Sequence, residues 1–277
     1  MRRLLPACPT DLGRPTDLGR PTDLGRPADP AGADTSWDPD TLEGLAAVYA
    51  YPGPTGPGRP WLRANMVSAL DGAARLDGFS EGLSGAADKR IFGVLRALAD
   101  VVLVGAETVR SEGYRPARAR EAFAEARAAL GQAPAPAIAV VTRSLDLDLS
   151  APLFTEPLLP TVVITAESAP AAARRAAAAV TDLVVAGDEQ VDPAAAVRAL
   201  TERGWTRLLT EGGPRLLGQL AAAGLLDELC LSLAPLVTVG EAPRIMHGPV
   251  AAEIQRMELR SLLEEDGFLF ARYTRPS

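Results

Sequence analysis

Beyond residue 60 the chain alternates between short runs that are apolar almost throughout and longer amphipathic runs. The first kind falls at 62–68, 101–104, 137–142, 161–165, 183–186, 207–210, 228–233 and 268–273, the pattern of strands covered on both faces. Helical patterns fall at 86–98, 118–130, 169–179, 193–203 and 214–223. In the first of these Ile91, Leu95 and Leu98 make one stripe that Val94 and Ala97 widen. Gly224 follows the last, where a left-handed residue is wanted. Ahead of them, 37–52 reads as a short helix capped by Asp38 or Asp40 and stopped by Pro52. Strands alternating with helices predict an α/β fold, a mostly parallel sheet with helices on both faces. In such sheets ligands sit beyond the carboxyl ends of the strands.

The first 36 residues break this rhythm. Thr-Asp-Leu-Gly-Arg-Pro occurs three times in succession over 10–27, and each copy offers one leucine to bury, too little to offset its ordering entropy. The expectation is a disordered tail over 1–36 and a single domain over 37–277. The net charge of −7 and the lack of a Lys/Arg-rich run exclude a nucleic-acid partner. No apolar run reaches membrane-spanning length and no secretory leader is evident, so a cytoplasmic protein without membrane contact is expected. Two cysteines, Cys8 and Cys230, and one histidine, His247, make no metal-ligand set. No metal is expected, and His247 is given a loop or packing role.

Chemistry-bearing residues collect at strand ends. The run 62–68 leads into Ser68, Asp71 and Gly72, and 101–104 into Gly105, Thr108, Arg110 and Glu112. The run 137–142 continues as Thr142-Arg143-Ser144, and 207–210 runs into Glu211-Gly212-Gly213-Pro214. Glycine lets backbone amides approach phosphate oxygens, and a helix N-terminus adds partial positive charge. An arginine such as Arg143 supplies charge-assisted bonds to a further phosphate. Singly, each has a plain structural explanation: tight turns for the glycine pair and Asp71-Gly72, caps for Ser84 and Thr108. Their coincidence at neighbouring strand ends is what points to a ligand. Gly-x-Gly-x-x-Gly, P-loop, nucleophile-elbow and His-Glu-x-x-His signatures are absent.

Three segments in order, "NMVSALDGAA" (65–74), "LRALADVVLVGAETVR" (95–110) and "LLTEGGPRLLGQLAAAGLLDELCLSLAPLV" (208–237), resemble the pyrimidine reductase domain of riboflavin biosynthesis. The likeness spans about 60–273. It implies a dihydrofolate-reductase-like three-layer α/β/α fold and NADPH as cofactor. Carried over position by position, it implies that Gly105, Thr108, Gly212, Gly213, Pro214 and Arg215 hold the dinucleotide. Thr142, Arg143 and Ser144 would meet its 2′-phosphate end, and Val67 and Ala74 would border the nicotinamide. Asn65, Ser68, Ser84 and Tyr114 are implied to face the substrate, and Asp71 and Glu112 to handle protons or orient it. The implied reaction is reduction of 5-amino-6-(5-phosphoribosylamino)uracil by hydride transfer to C1′ of the ribosyl imine, in a homodimer. Two departures stand out. The fused zinc deaminase of many relatives has no counterpart in the motifs, which removes deaminase activity from the expectation. After Thr108, where the family has Asp, Pro-x-Leu and Arg, this chain has Glu112, Tyr114 and the trio Arg115, Arg118 and Arg120, left as alternatives for a ribose phosphate. A dihydrofolate or other pterin reductase is the alternative enzyme, and a non-catalytic NADPH-binding sensor the alternative of another class.

Overall fold

The computed structural model describes residues 1–5, 38–53, 59–248 and 253–276. Its strands are β1 (Arg2–Leu5), β2 (Trp61–Ala69), β3 (Val101–Gly105), β4 (Ala137–Val141), β5 (Val162–Thr165), β6 (Asp182–Val185), β7 (Arg207–Thr210), β8 (Glu228–Ala234), β9 (Glu258–Glu265) and β10 (Phe268–Thr274). All join one sheet in the order β1-β9-β10-β8-β2-β7-β3-β4-β5-β6. From β8 to β6 every pairing is parallel; β10, β9 and β1 extend the sheet with antiparallel pairings. The helices are α1 (Leu42–Val48), α2 (Ala86–Leu98), α3 (Ala106–Ser111), α4 (Ala124–Ala129), α5 (Pro152–Thr155), α6 (Ala171–Ala178), α7 (Pro193–Thr201) and α8 (Pro214–Ala222).

Alternation along each parallel strand feeds two cores. In β3, Val102 and Val104 turn to a core closed by Leu45 of α1, Ile91 and Leu95 of α2, Phe123 and Leu153. Val101 and Leu103 turn to the other, closed by Val197 and Leu200 of α7 and Leu216 and Leu220 of α8. Each such side chain contributes about 1.5–3 kcal/mol on full burial. The expected three-layer α/β/α arrangement is therefore the one found. Among the described residues no helix is long and apolar enough to cross a membrane.

A buried ion group fixes how β2 meets β8. Arg63 pairs in register with Glu228, its Nη2 donating to Glu228 Oε2 at 3.1 Å. Arg272 Nε donates to Oε1 at 2.7 Å and Trp61 Nε1 to Oε2 at 2.8 Å. A one-residue slip would separate charges that have left water, so this register is held strongly.

Three expectations need correction. Residues 2–5 are a strand, because the outer edge of β9 offers unpaired backbone groups and Arg2 Nε reaches Glu264 Oε2 at 2.5 Å; residues 6–37, which carry the hexapeptide repeats, lie outside the described residues. The cap of α1 is Thr41, whose Oγ1 accepts from Gly44 N at 2.9 Å, and neither Asp38 nor Asp40. The helix expected over 118–130 is a 3-10 turn (Glu121–Phe123) followed by α4. Arg120 is extended because its guanidinium lies against Gly93 of α2: a β-carbon on that glycine would stand 2.3 Å from Arg120 Nη2. A tertiary contact here overrides local helix propensity.

Candidate functional site: two clefts at the carboxyl edge of the sheet

The glycine pair after β7 builds the junction between two clefts. Gly212 has φ +83°, open to glycine at little cost, and its carbonyl accepts from Gly105 N, at the end of β3, at 2.9 Å. The Gly212–Gly213 peptide is cis. Gly213 is the N-cap of α8, with Pro214 at the first helical position, where a missing N–H costs nothing. A β-carbon on Gly212 would lie 3.1 Å from Met66 Sδ of β2, and one on Gly213 only 2.7 Å from Thr108 Oγ1 of α3.

On the α8 side lies a cleft of about 250 Å³. It gathers the expected Gly105, Thr108, Gly213, Pro214 and Arg215, and adds Arg75, Glu107 and His247. Thr108 is 9 % exposed, and its hydroxyl is buried with no hydrogen-bond partner. An unpaired buried hydroxyl beside a helix N-terminus, with a glycine cradle opposite, fits a phosphate-bearing dinucleotide. The strand-end trio stands next door, since β4 pairs with β3 through Val141 and Gly105. Thr142 is buried and its Oγ1 accepts from Leu145 N at 3.0 Å, a turn-holding bond, whereas Arg143 and Ser144 are exposed.

On the other side of Met66 lies a cleft of about 310 Å³. The expected Asn65, Val67, Ala74, Ser84 and Glu112 all line it. Glu112 Oε1 accepts from Ser80 N at 3.0 Å. Seven further lining residues escaped the sequence reading: Met66, Ser80, Glu81, Asp88, Lys89, Phe92 and Glu211. Asp88, on the first turn of α2, is 7 % exposed and accepts from Ser84 Oγ at 2.5 Å and Ser232 Oγ at 2.6 Å. Glu211 takes Arg96 bidentately, both contacts at 2.6 Å, and also accepts from the Tyr114 hydroxyl. Spacing held the missing signal for Asp88: Ser84 and Asp88 are four apart, one helical turn. Glu211 was quoted only as part of the glycine turn.

Seven expected residues line neither cleft: Gly212 at the junction, the trio Thr142, Arg143 and Ser144, and Ser68, Tyr114 and Asp71. Ser68 is buried, with Oγ donating to Ala69 O at 2.8 Å. Tyr114 reaches the substrate-side cleft only through Glu211; burial first, and the Glu211 charge second, raise its pKa well above the phenolic value. Asp71 clamps a loop, accepting from Thr238 N at 2.8 Å and Val239 N at 2.6 Å. The Val239 bond above all lowers the Asp71 pKa, with burial opposing and Thr238 helping. In this structure the Asp71 carboxylate anchors the 238–239 loop.

An open parallel sheet with paired clefts at its carboxyl edge defines the class, a small-molecule enzyme of the α/β type. The chain belongs to the RibD C-terminal domain family, whose profile matches residues 60–265, and it is an oxidoreductase of the pyrimidine reductase family. It is similar to the 2,5-diamino-6-ribosylamino-4(3H)-pyrimidinone 5′-phosphate reductase of Archaeoglobus fulgidus, 28% identical over 219 residues that cover 78% of this chain and 100% of the relative. The enzyme of the same name from Methanothermobacter thermautotrophicus is 30% identical over 195 residues, 68% of this chain and 83% of that one. Among solved structures, a pyrimidine reductase-like protein from Corynebacterium diphtheriae superposes with a TM-score of 0.74 at 27% identity, covering 84% of this chain and 98% of the other.

Proposed function

We propose that this chain is an NADPH-dependent reductase of a ribosylaminopyrimidine 5′-phosphate in riboflavin biosynthesis. The observation that carries the reading is the junction at Met66 and Gly212, where a cleft with an unpaired Thr108 hydroxyl abuts one lined by carboxylates and amides. In the first, Gly213, Arg215 and Thr108 would hold the dinucleotide, with Arg75 and the exposed Arg143 as candidates for its 2′-phosphate. When bound, NADPH supplies hydride to C1′ of the ribosyl imine. The protein's part is alignment, exclusion of water and delivery of the balancing proton. Val67 and Ala74 border the junction. Asn65, Ser84, Glu112 and Glu211 present donors and acceptors suited to a pyrimidine edge, and Lys89, whose Nζ donates to Glu81 Oε1 at 2.9 Å, is the cation of that cleft. Glu112 and Asp88 are the carboxyl groups facing the cleft that could pass a proton.

The archaeal relatives are named for the 2,5-diamino pyrimidinone, which favours that substrate beside the uracil form; both carry the same ribosylamino phosphate. The decisive experiment follows loss of NADPH absorbance with the two pyrimidines and dihydrofolate in parallel. Oxidation with a ribosylaminopyrimidine is expected. Turnover of dihydrofolate alone would move the assignment to a pterin reductase, and NADPH binding without turnover of any of the three would make it a sensor.

The reading includes a cytoplasmic homodimer without nucleic-acid contact. Exposed Leu70, Leu236, Val237 and Val239, joined by the bond from Leu70 N to Leu236 O at 2.8 Å, give an apolar patch suited to a second copy. The net charge of −7 supports the absence of nucleic acid. Sedimentation at two concentrations tests the dimer.

A further inference from the structure

The loop that follows β2 brings a cation over the glycine cradle. Gly72 turns the chain with φ +91°, its N donating to Ala69 O at 3.0 Å while Ala69 N donates to Ala73 O at 2.8 Å. Ala74 N then donates to Pro243 O at 2.9 Å, and the backbones of Leu76 and Phe79 bond each other in both directions. The chain is thus pinned on either side of Arg75, whose side chain is presented from a fixed base. Arg75 lines the α8-side cleft, and its Nη2 stands 4.0 Å from the point a β-carbon on Gly213 would occupy. Thr108 Oγ1 stands 2.7 Å from that same point. The two side chains therefore converge over the N-cap of α8. Neither is well partnered. Among the described residues Arg75 is met by Glu107 of α3, Nη1 to Oε1 at 3.7 Å, beyond hydrogen-bond length. Arg75 is 19 % exposed and Glu107 59 %, and a loose pair with a solvated carboxylate contributes little to stability. A guanidinium mostly withdrawn from water, opposite a buried hydroxyl that has no partner, is an arrangement an anion completes.

We infer that Arg75 is the clamp on the diphosphate of the dinucleotide and not a reader of its 2′-phosphate. The inference rests on the NADPH reading above and divides the work between its two candidate arginines. Gly213, beneath the Arg75 guanidinium, follows β7, whereas Arg143 follows β4, two strands further along the sheet. Neighbouring strands lie about 4.8 Å apart, which puts those two strand ends about 10 Å from each other. A diphosphate seated between Thr108 and Arg75 has the α8 N-terminus beside it. Its arrival exchanges the solvated Glu107 carboxylate for phosphate oxygens, which accept from the planar guanidinium in pairs. The 2′-phosphate is left to the exposed Arg143.

The test is fluorescence titration of the full chain with NADPH and with NADH, for the parent and for Arg75→Gln, with melting temperatures taken without nucleotide. Because the Glu107 pair is loose, the variant is expected to melt with the parent. Its dissociation constants are expected to rise about tenfold or more, by the same factor for both nucleotides, since both carry the diphosphate. A rise for NADPH alone overturns the proposal by giving Arg75 to the 2′-phosphate. Constants that do not move overturn it by leaving Arg75 as a partner of Glu107 only. NADPH bound by a parent that ignores millimolar NADH overturns it too, because the cradle then holds no diphosphate by itself. In these three outcomes the cofactor reading stands, whereas a parent that binds neither nucleotide removes both. If the glutamine variant melts lower, Arg75→Lys keeps the charge, loses the planar fork and carries the same comparison, with an equal loss for the two nucleotides again expected.

Discussion

The hydroxyl of Thr108 faces Gly213 so closely that a β-carbon on the glycine would stand 2.7 Å from Thr108 Oγ1. Gly213→Ala therefore places a methyl group where a phosphate oxygen is to sit and pushes on the threonine as well. Overpacking of this kind costs about 1–3 kcal/mol, and a loss of that size in binding raises the dissociation constant for NADPH roughly 5- to 150-fold. Fluorescence titration with NADPH measures it, and an unchanged constant would remove the cradle from the cofactor site.

Glu211 joins Arg96 and Tyr114 behind the substrate-side cleft. Glu211→Gln leaves Arg96 without its counter-charge in a half-buried place, for an expected loss of about 2–4 kcal/mol of stability. Tyr114→Phe removes one hydrogen bond to the same carboxylate, and about 1 kcal/mol is expected. Urea unfolding of both variants checks the order.

Asp88→Ala strands the hydroxyls of Ser84 and Ser232, each of which donates to that carboxylate. About 1–3 kcal/mol of stability is expected to go. If Asp88 also serves the substrate, kcat/KM falls further than in Ser232→Ala, whose hydroxyl is absent from the cleft lining. Equal kinetics in the two variants would give Asp88 a structural role only.

For Glu228, burial alone would raise the pKa, but Arg63 and then Arg272 outweigh it and the value is lowered. A depressed carboxyl pKa contributes stability that is present above the unfolded value, near 4.3, and lost as pH falls through the folded one. Asp227 acts in the opposite sense, raised mainly by burial while Leu62 N and Arg275 oppose. The stability of the parent chain is expected to drop below about pH 4.5. That acid limb should be shallower in Glu228→Gln, though its plateau is lower. Denaturant unfolding across pH tests both.

Asp71→Asn is expected to loosen the Thr238–Val239 clamp and to lower kcat/KM less than Glu112→Gln does. The reverse order would return Asp71 to the reacting centre.

Much of the parallel half of the sheet was legible, because β3, β4, β5 and β7 are covered on both faces and read as continuous apolar runs. β9 was not: its burial alternates and Glu258, Glu264 and Glu265 dilute the pattern. β1 was invisible because only the neighbouring edge makes it a strand. Of the expected residues, those that follow β3 and β7, Gly105, Thr108, Gly213, Pro214 and Arg215, line a cleft, as the carboxyl-edge rule suggests. Asp88 and Lys89 were missed because they reach the cleft from a helix across the sheet edge. Asp71 follows β2 as expected, but its partners lie in the 238–239 loop, which local sequence does not reveal.

β2 pairs with β7 over Trp61–Ala64 and with β8 over Arg63–Ala69, so Asn65, Met66 and Val67 are held on the β8 side. Those of its amides bonded to β8 can exchange with solvent deuterium only when that seam opens, whereas β6 borders solvent and Val185 is 45% exposed. The floor shared by both clefts is thus tied to the interior of the sheet through β8, so that the remote edge can breathe on a faster clock without disturbing the distance between the two bound molecules.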